Sequence, residues 1–306
     1  MGYFFIGVDV GGTNVKLGII SQTNRIVARS NFSTTTYTSS KNQLIDALAF
    51  NIRVLCERVN LTRQDIVGVG IGFPGLINFK SGIINTLPNI PGWNKVPLKK
   101  ILQKKLRLPV VVENDVNLMT LGEWKYGAGK GQHDLVCITL GTGVGGGLVL
   151  NNELYRGPGF AAGEVGHMPI NEHGPSCVCG GYGCFEQYVG RHYLQKKSGL
   201  IFGKKMEWQD VSTLARKGDK RAIIFWKETA QHIGNALTGV VNLLNPSRII
   251  IGGGVSHCPA FVYQTINAVI KKRAMPVQAS MVKVIKAKLG NDAALLGAKV
   301  LVQSVR

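Results

Sequence analysis

The strongest constraint on this chain is a pattern that occurs twice. Residues 3 to 20 read YFFIGVDVGGTNVKLGII and residues 134 to 150 read DLVCITLGTGVGGGLVL. Each is an apolar strand, a glycine turn and a second apolar strand. After the first come a segment with apolar residues at helical spacing (41–59), a buried strand ended by Pro74-Gly75 (65–73), a helix (96–106), a strand stopped by polar residues (108–115) and a helix (116–127). After the second come a long helix over about 220–244 stopped at Asn245-Pro246, a strand with a glycine loop (247–256), a helix (260–274), a strand (281–287) and a last helix (292–304). This is a duplicated α/β chain. The expected division is a smaller domain over 1–115, rejoined by about 292–306, and a larger one over 116–291, with a cleft between them. Glycine loops at the strand ends would face that cleft, which is where open α/β sheets bind ligands.

A chain of 306 residues is long enough for two such cores. It has no apolar run long enough to span a membrane. Its N-terminus reads as a strand, without the basic region and cleavage site of a signal peptide. The expected compartment is the cytoplasm, where thiols stay reduced. Lys and Arg number 36 against 17 Asp and Glu, a formal charge of +19. Such a charge can attract polyanions or nucleic acid, but the basic residues are scattered and not interleaved with aromatics, as on a solvated surface. Neither a membrane nor a nucleic-acid partner is expected.

Three glycine loops can bring backbone amides to a phosphate: DVGGTNVK (9–16), GTGVGGG (141–147) and GGGVS (252–256). Gly141, Gly143 and Gly146 fit a dinucleotide fingerprint, with Glu164 near the ribose-acid distance. However, a strand rather than a helix follows them, which argues against that use. Asp9 closes the first strand and can hold Mg²⁺, with Gly11, Gly12 and Thr13 meeting phosphate oxygens. Lys16 suits either a phosphate contact or a solvated strand position. At the end of the strand VVVEN, Asp115 suits two roles: N-cap of the next helix, or general base toward a substrate hydroxyl. Asn114 beside it can hydrogen-bond a neighbouring hydroxyl.

Three of the six cysteines stand close together. His167, Cys177, Cys179 and Cys184 form a Cys₃His set suited to a closed, structural zinc site, with His173 a weaker candidate ligand. Cys177 and Cys179 lack the spacing of a redox pair. Cys56, Cys137 and Cys258 read as small core residues. Glu164 and Glu186 flank the metal set and can present acceptors to a polyhydroxylated substrate.

Taken together, DVGGT, END, LGTGVGGG, GEVGH, CVCGGYGCFE and IGGGVS stand in the order of the ROK family (repressors, open reading frames, kinases), and the chain resembles its bacterial glucokinases most. The resemblance runs over essentially the whole chain, and the stretch from His167 to Glu186 matches without departure. It implies an actin-like ATPase (ribonuclease H-like) fold and transfer of the γ-phosphoryl of ATP, with Mg²⁺, to the 6-hydroxyl of a hexose. On this resemblance Asp115 is the catalytic base. Gly75, Asn89, Asn114, Glu164, His167 and Glu186 contact the sugar, and His167 also binds zinc. Gly11, Gly12, Thr13, Gly141, Thr142 and Gly143 contact phosphates, and Gly253 and Gly254 lie beside the adenosine. It also implies a homodimer or homotetramer. Val116 and Met119 depart from the family's small residues and bear on sugar preference. The expected order is glucose, then mannose, then N-acetylhexosamines; fructose stays open as an alternative sugar and polyphosphate as an alternative donor. Family repressors carry a helix-turn-helix ahead of the first strand. The sequence here opens on that strand, so a regulator is not expected.

Overall fold

In a computed structural model the chain is described over residues 3–37, 40–86 and 92–305. In chain order the strands are β1 (Phe4–Val10), β2 (Asn14–Ser21), β3 (Ile26–Ser33), β4 (Ile66–Phe73), β5 (Leu76–Asn78), β6 (Ile83–Thr86), β7 (Asn94–Val96), β8 (Val110–Asn114), β9 (Leu135–Leu140), β10 (Val144–Leu150), β11 (Glu153–Tyr155), β12 (Arg248–Gly252) and β13 (Lys283–Lys286). The α-helices are α1 (Lys41–Glu57), α2 (Leu98–Leu106), α3 (Asp115–Tyr126), α4 (Glu186–Val189), α5 (Arg191–Phe202), α6 (Trp208–Arg216), α7 (Lys220–Leu244), α8 (Ala260–Arg273), α9 (Pro276–Met281) and α10 (Ala293–Ser304).

The chain forms two compact units. Unit 1 holds residues 1–131, 154–162 and 289–306, and unit 2 holds 132–153 and 163–288. The boundary differs from the expected one at residue 115. Helix α3 stays in unit 1 because it packs along α10, and a short segment at 154–162 also returns there. The repeated sequence pattern appears as repeated topology. Unit 1 has the sheet order β3-β2-β1-β4-β8, with β1 and β2 antiparallel and β1, β4 and β8 parallel. In unit 2 the order is β11-β10-β9-β12-β13, with β9 and β10 antiparallel and β9, β12 and β13 parallel. A smaller antiparallel sheet, β5-β6-β7, branches from unit 1 after β4.

Period-two alternation sends the side chains of β1 to opposite faces. Ile6 and Val8 join a core with Leu44, Leu48, Leu98 and Leu102 from α1 and α2, while Phe5 packs with Leu296 and Val302 of α10. The α10 face lies unusually near the backbone. A β-carbon at Gly7 would lie 2.7 Å from the Leu295 carbonyl oxygen, and one at Gly70 would lie 2.5 Å from that of Ala298. Between α3 and α10 the approach is closer still: a β-carbon at Gly122 would overlap the Ala293 carbonyl, and one at Gly297 that of Leu118. Lys299 of α10 is 2 % exposed. Its Nζ donates to the carbonyls of Ser21 (3.0 Å) and Gln22 (2.6 Å) and to Asn24 Oδ1 (2.7 Å), closing the β2–β3 turn. Burial pulls its pKa down from the usual lysine range.

In unit 2, α7 spans the expected residues. Asp219 caps its start by accepting from the amides of Arg221 and Ala222, and Asn245 ends it at φ 46°, a left-handed stop. Among the described residues no helix is long and apolar enough to cross a membrane.

The glycine seam gives a prediction whose sign opposes helix propensity. Alanine exceeds glycine by about 1 kcal/mol in a helix interior. Gly297→Ala is nevertheless expected to destabilise the protein by roughly 1–3 kcal/mol, because its methyl meets the α3 backbone. Denaturant unfolding of the variant tests this; a midpoint at or above wild type would contradict it.

Candidate active site

In unit 1 the candidate residues gather at the C-terminal ends of β1, β4 and β8. The register pairs Asp9 with Gly72, and Gly72 with Glu113. Asp9 and the Glu113–Asp115 turn are therefore two strand spacings apart, roughly 10 Å, on one edge of the sheet. Asp9 is mostly buried, and burial raises its pKa. Lys16, its partner across the hairpin, opposes that shift with Nζ 3.6 Å from Oδ2. Lys16 also donates to Asn291 Oδ1 at 3.0 Å, so it is neither free nor purely solvated. The glycine turn is tied to β3: Thr34 Oγ1 donates to the Gly11 carbonyl and the Thr34 amide to that of Thr13, both at 2.8 Å. Gly12 has open space around it, and Thr13 is exposed.

Asp115 begins α3 but does not cap it. The cap is Asn114, whose side chain accepts from the amides of Val116 (2.9 Å) and Asn117 (3.1 Å). That leaves the Asp115 carboxylate half-buried at the first helical position, with Oδ1 2.9 Å from the Val116 amide. Asn114 Nδ2 approaches the Gly75 carbonyl at 3.4 Å, and Gly75 sits at φ 93°, a conformation that favours glycine. Two expected sugar contacts thus meet. Asn89, a third, lies outside the described residues.

In unit 2 the loops after β9 and β12 lie side by side, since Gly252 pairs with Thr139. A cavity of about 570 Å³ is lined by Gly141, Thr142, Arg191, Trp208, Gly254 and neighbours, bringing three expected nucleotide residues together. Gly253 takes φ 76° where a side chain would meet the Leu140 backbone, and a β-carbon on Gly254 would lie 2.5 Å from the Trp208 ring. Arg191 pairs with Glu207 at 2.6 Å and donates its own amide to the Gly141 carbonyl at 3.0 Å. Sequence reasoning missed Arg191, Glu207 and Trp208, because the polar segment 191–216 carries no motif and contributes only through packing.

The Cys-rich stretch folds onto β10. Gly163 and Gly166 pack against the Gly146 and Val144 backbone, leading into a single 3₁₀ turn, Val165–His167. Isolated bridges Pro169–Cys184 and Ser176–Tyr182 close the knuckle. Donor atoms of His167, Cys177, Cys179 and Cys184 all lie within 4.8 Å of one another. Cys177 Sγ is 3.6 Å from His167 Nδ1, and Cys179 Sγ is 3.6 Å from Cys184 Sγ. Ligands about 2.0–2.3 Å from a tetrahedral ion sit roughly 3.5–3.8 Å apart, so the set has the right size for one. Gln187 Nε2 supports Cys177 Sγ at 3.6 Å. His173 is exposed beside Glu172 and outside the set. Of the other cysteines, Cys137 is buried, while Cys56 and Cys258 are only partly so.

The two flanking carboxylates differ. Glu164 is exposed. Glu186 starts α4 and its Oε2 accepts the Val144 amide at 2.7 Å, directly beside Gly143. The Cys-rich knuckle and the 141–144 loop are therefore linked through one carboxylate, which adds a loop-anchoring contact to its expected role as a sugar acceptor.

Comparison with known proteins follows the same lines. The family model described as ROK family matches residues 5–305. The chain is 35 % identical over 311 residues to the glucokinase of Streptomyces coelicolor, covering 96 % of this chain and 95 % of that one. It is 31 % identical to the xylose repressor of Bacillus spizizenii, covering 96 % of this chain and 75 % of the repressor. Among solved structures, a ROK family glucokinase from Streptomyces griseus in complex with glucose and AMPPNP superposes with a TM-score of 0.84 at 33 % identity, covering 98 % of this chain and 99 % of that one. The duplicated α/β architecture is the actin-like ATPase fold of these sugar kinases, and the chain belongs to the ROK family.

Proposed function

We propose that this protein is an ATP-dependent hexokinase that phosphorylates the 6-hydroxyl of glucose. The observation that carries the reading is the half-buried Asp115. Asn114 is the cap of α3, and Asp115 stands at the first helical position, where the ends of β1 and β8 also bring Asp9 to the same side of the sheet. In the reaction Asp115 accepts the O6 proton of the sugar as O6 forms its bond to the γ-phosphorus. The bond from that phosphorus to the β,γ-bridging oxygen breaks, and ADP leaves. Mg²⁺ when bound neutralises charge on the phosphates, and Asp9 is the carboxylate placed to hold it; a cation there would offset the burial that raises its pKa. The amides of Gly11, Gly12 and Thr13, and of Gly141 to Gly143, suit the phosphate oxygens. The cavity beside Trp208 and Gly254 has room for an adenosine, which favours ATP over polyphosphate as donor.

For the sugar, Asn114, Gly75, Glu164, His167 and Glu186 supply directed polar contacts. The Cys₃His set suits a structural zinc ion, with no coordination position left for substrate. Zinc on Nδ1 would fix the His167 ring and leave its other nitrogen as a donor of fixed direction. A site built to bond hydroxyls in fixed directions disfavours sugars that leave those groups unpaired, hence glucose before mannose and N-acetylhexosamines.

Asp115→Asn is expected to cut kcat by at least about 100-fold while the glucose Kd, measured by calorimetry, stays within a few-fold. Wild-type turnover in this variant would refute the base assignment. Metal analysis should find one zinc per chain in wild type and a loss of zinc in Cys179→Ser, with an increase in the glucose KM as Glu164, His167 and Glu186 lose their placement. Stoichiometric zinc in that variant, or full activity without metal, would refute the metal assignment.

A further inference from the structure

Behind Asp115 lies a buried ion pair that the reaction does not use directly. Glu113, the penultimate residue of β8, is 2 % exposed. Its Oε1 accepts the Asn114 amide at 2.9 Å and Asn117 Nδ2 at 3.1 Å. Its Oε2 accepts Arg156 Nε at 2.6 Å. One carboxylate thus gathers the end of the strand and the first turn of α3, the two elements between which Asp115 is held. Asn114, fixed from below by Glu113, is also the cap of that helix.

Arg156 comes from elsewhere in the sequence. It lies on the short segment 154–162 that returns to unit 1, seven residues before Gly163 opens the GEVGH stretch that holds the proposed sugar contacts Glu164 and His167. Its guanidinium stacks 3.8 Å from the Phe79 ring centroid, and Nη1 donates to its own strand at Leu154 O (3.5 Å). The cation is therefore itself held in direction. A buried carboxylate without a partner is costly, and a bidirectional hydrogen-bond hub without its charge partner would be free to shift.

We infer that Arg156 and Glu113 are positioning residues that set where the Asp115 carboxylate stands. This rests on Asp115 being the base. A displacement of about 1 Å at a reacting group can cost on the order of 100-fold in rate, whereas of the proposed sugar contacts only Asn114 lies on the turn that Glu113 holds. The pair should then act far more on kcat than on KM.

The test compares wild type, Arg156→Ala, Arg156→Lys and Asp115→Asn with glucose and ATP. Arg156→Ala is expected to lower kcat roughly 10- to 100-fold with both KM values within about threefold, and millimolar ethylguanidinium to restore part of the loss. Arg156→Lys keeps the charge and loses the fixed Nε direction, so about a tenfold loss in kcat is expected even if the alanine variant does not fold. Wild-type kcat in a folded Arg156 variant, with Asp115→Asn inactive, would overturn the inference alone. So would a uniform loss of stability in both Arg156 variants with the kcat of their folded fraction unchanged. Full turnover in Asp115→Asn would overturn the base assignment and this inference with it.

Discussion

The organisation of unit 1 depends on backbone-to-backbone packing around its last helix. α10 lies on β1, β4 and α3 through positions where only hydrogen can stand, at Gly7, Gly70, Gly122 and Gly297. The contact brings the end of the chain onto its first strand and onto the helix that begins with Asp115. Asp9 at the end of β1 and Asp115 at the start of α3 are thereby set by one packed unit, with no loop intervening. The buried Lys299 adds a second restraint, trading its hydration for three acceptors in the β2–β3 turn. Its lowered pKa expresses the cost of that exchange.

Within this frame carboxylates serve as anchors. Glu113 ties a strand end to a helix start, and Glu186 ties the Cys-rich knuckle to the 141–144 loop. Both are buried or half-buried oxygens that accept backbone amides, the strongest way for an anion to fix a turn. Asp9 is different, since burial disfavours its charge and Lys16 only partly offsets this. Groups whose charge is disfavoured in this way cluster at functional sites.

What the sequence reveals is what is local. The two strand–glycine–strand units, the α7 limits with Asp219 and Asn245 at its ends, and the Cys₃His spacing all depend on neighbours a few residues away, so pattern and turn chemistry suffice to find them. Asn114 and Asp115 are readable as a pair, but not which of them caps α3; that is decided by side-chain geometry. Arg156, Trp208 and Lys299 carry no local signal, because their partners lie 43, 46 and about 277 residues away. The placement of α3 in unit 1 is hidden for the same reason: it follows from contact with α10, at the other end of the chain.

The central claim is that this fold transfers phosphate from ATP to the 6-hydroxyl of glucose. Phosphorus NMR of the wild-type protein with Mg²⁺, ATP and ¹³C-labelled glucose tests it most directly, with mannose, fructose, N-acetylhexosamines and polyphosphate in parallel tubes. The account predicts loss of the ATP γ-signal in step with a phosphomonoester coupled to carbon 6 of glucose, faster than with any other sugar and weaker with polyphosphate. Absence of an ester with every hexose, or an ester at a hydroxyl other than the sixth, would contradict it.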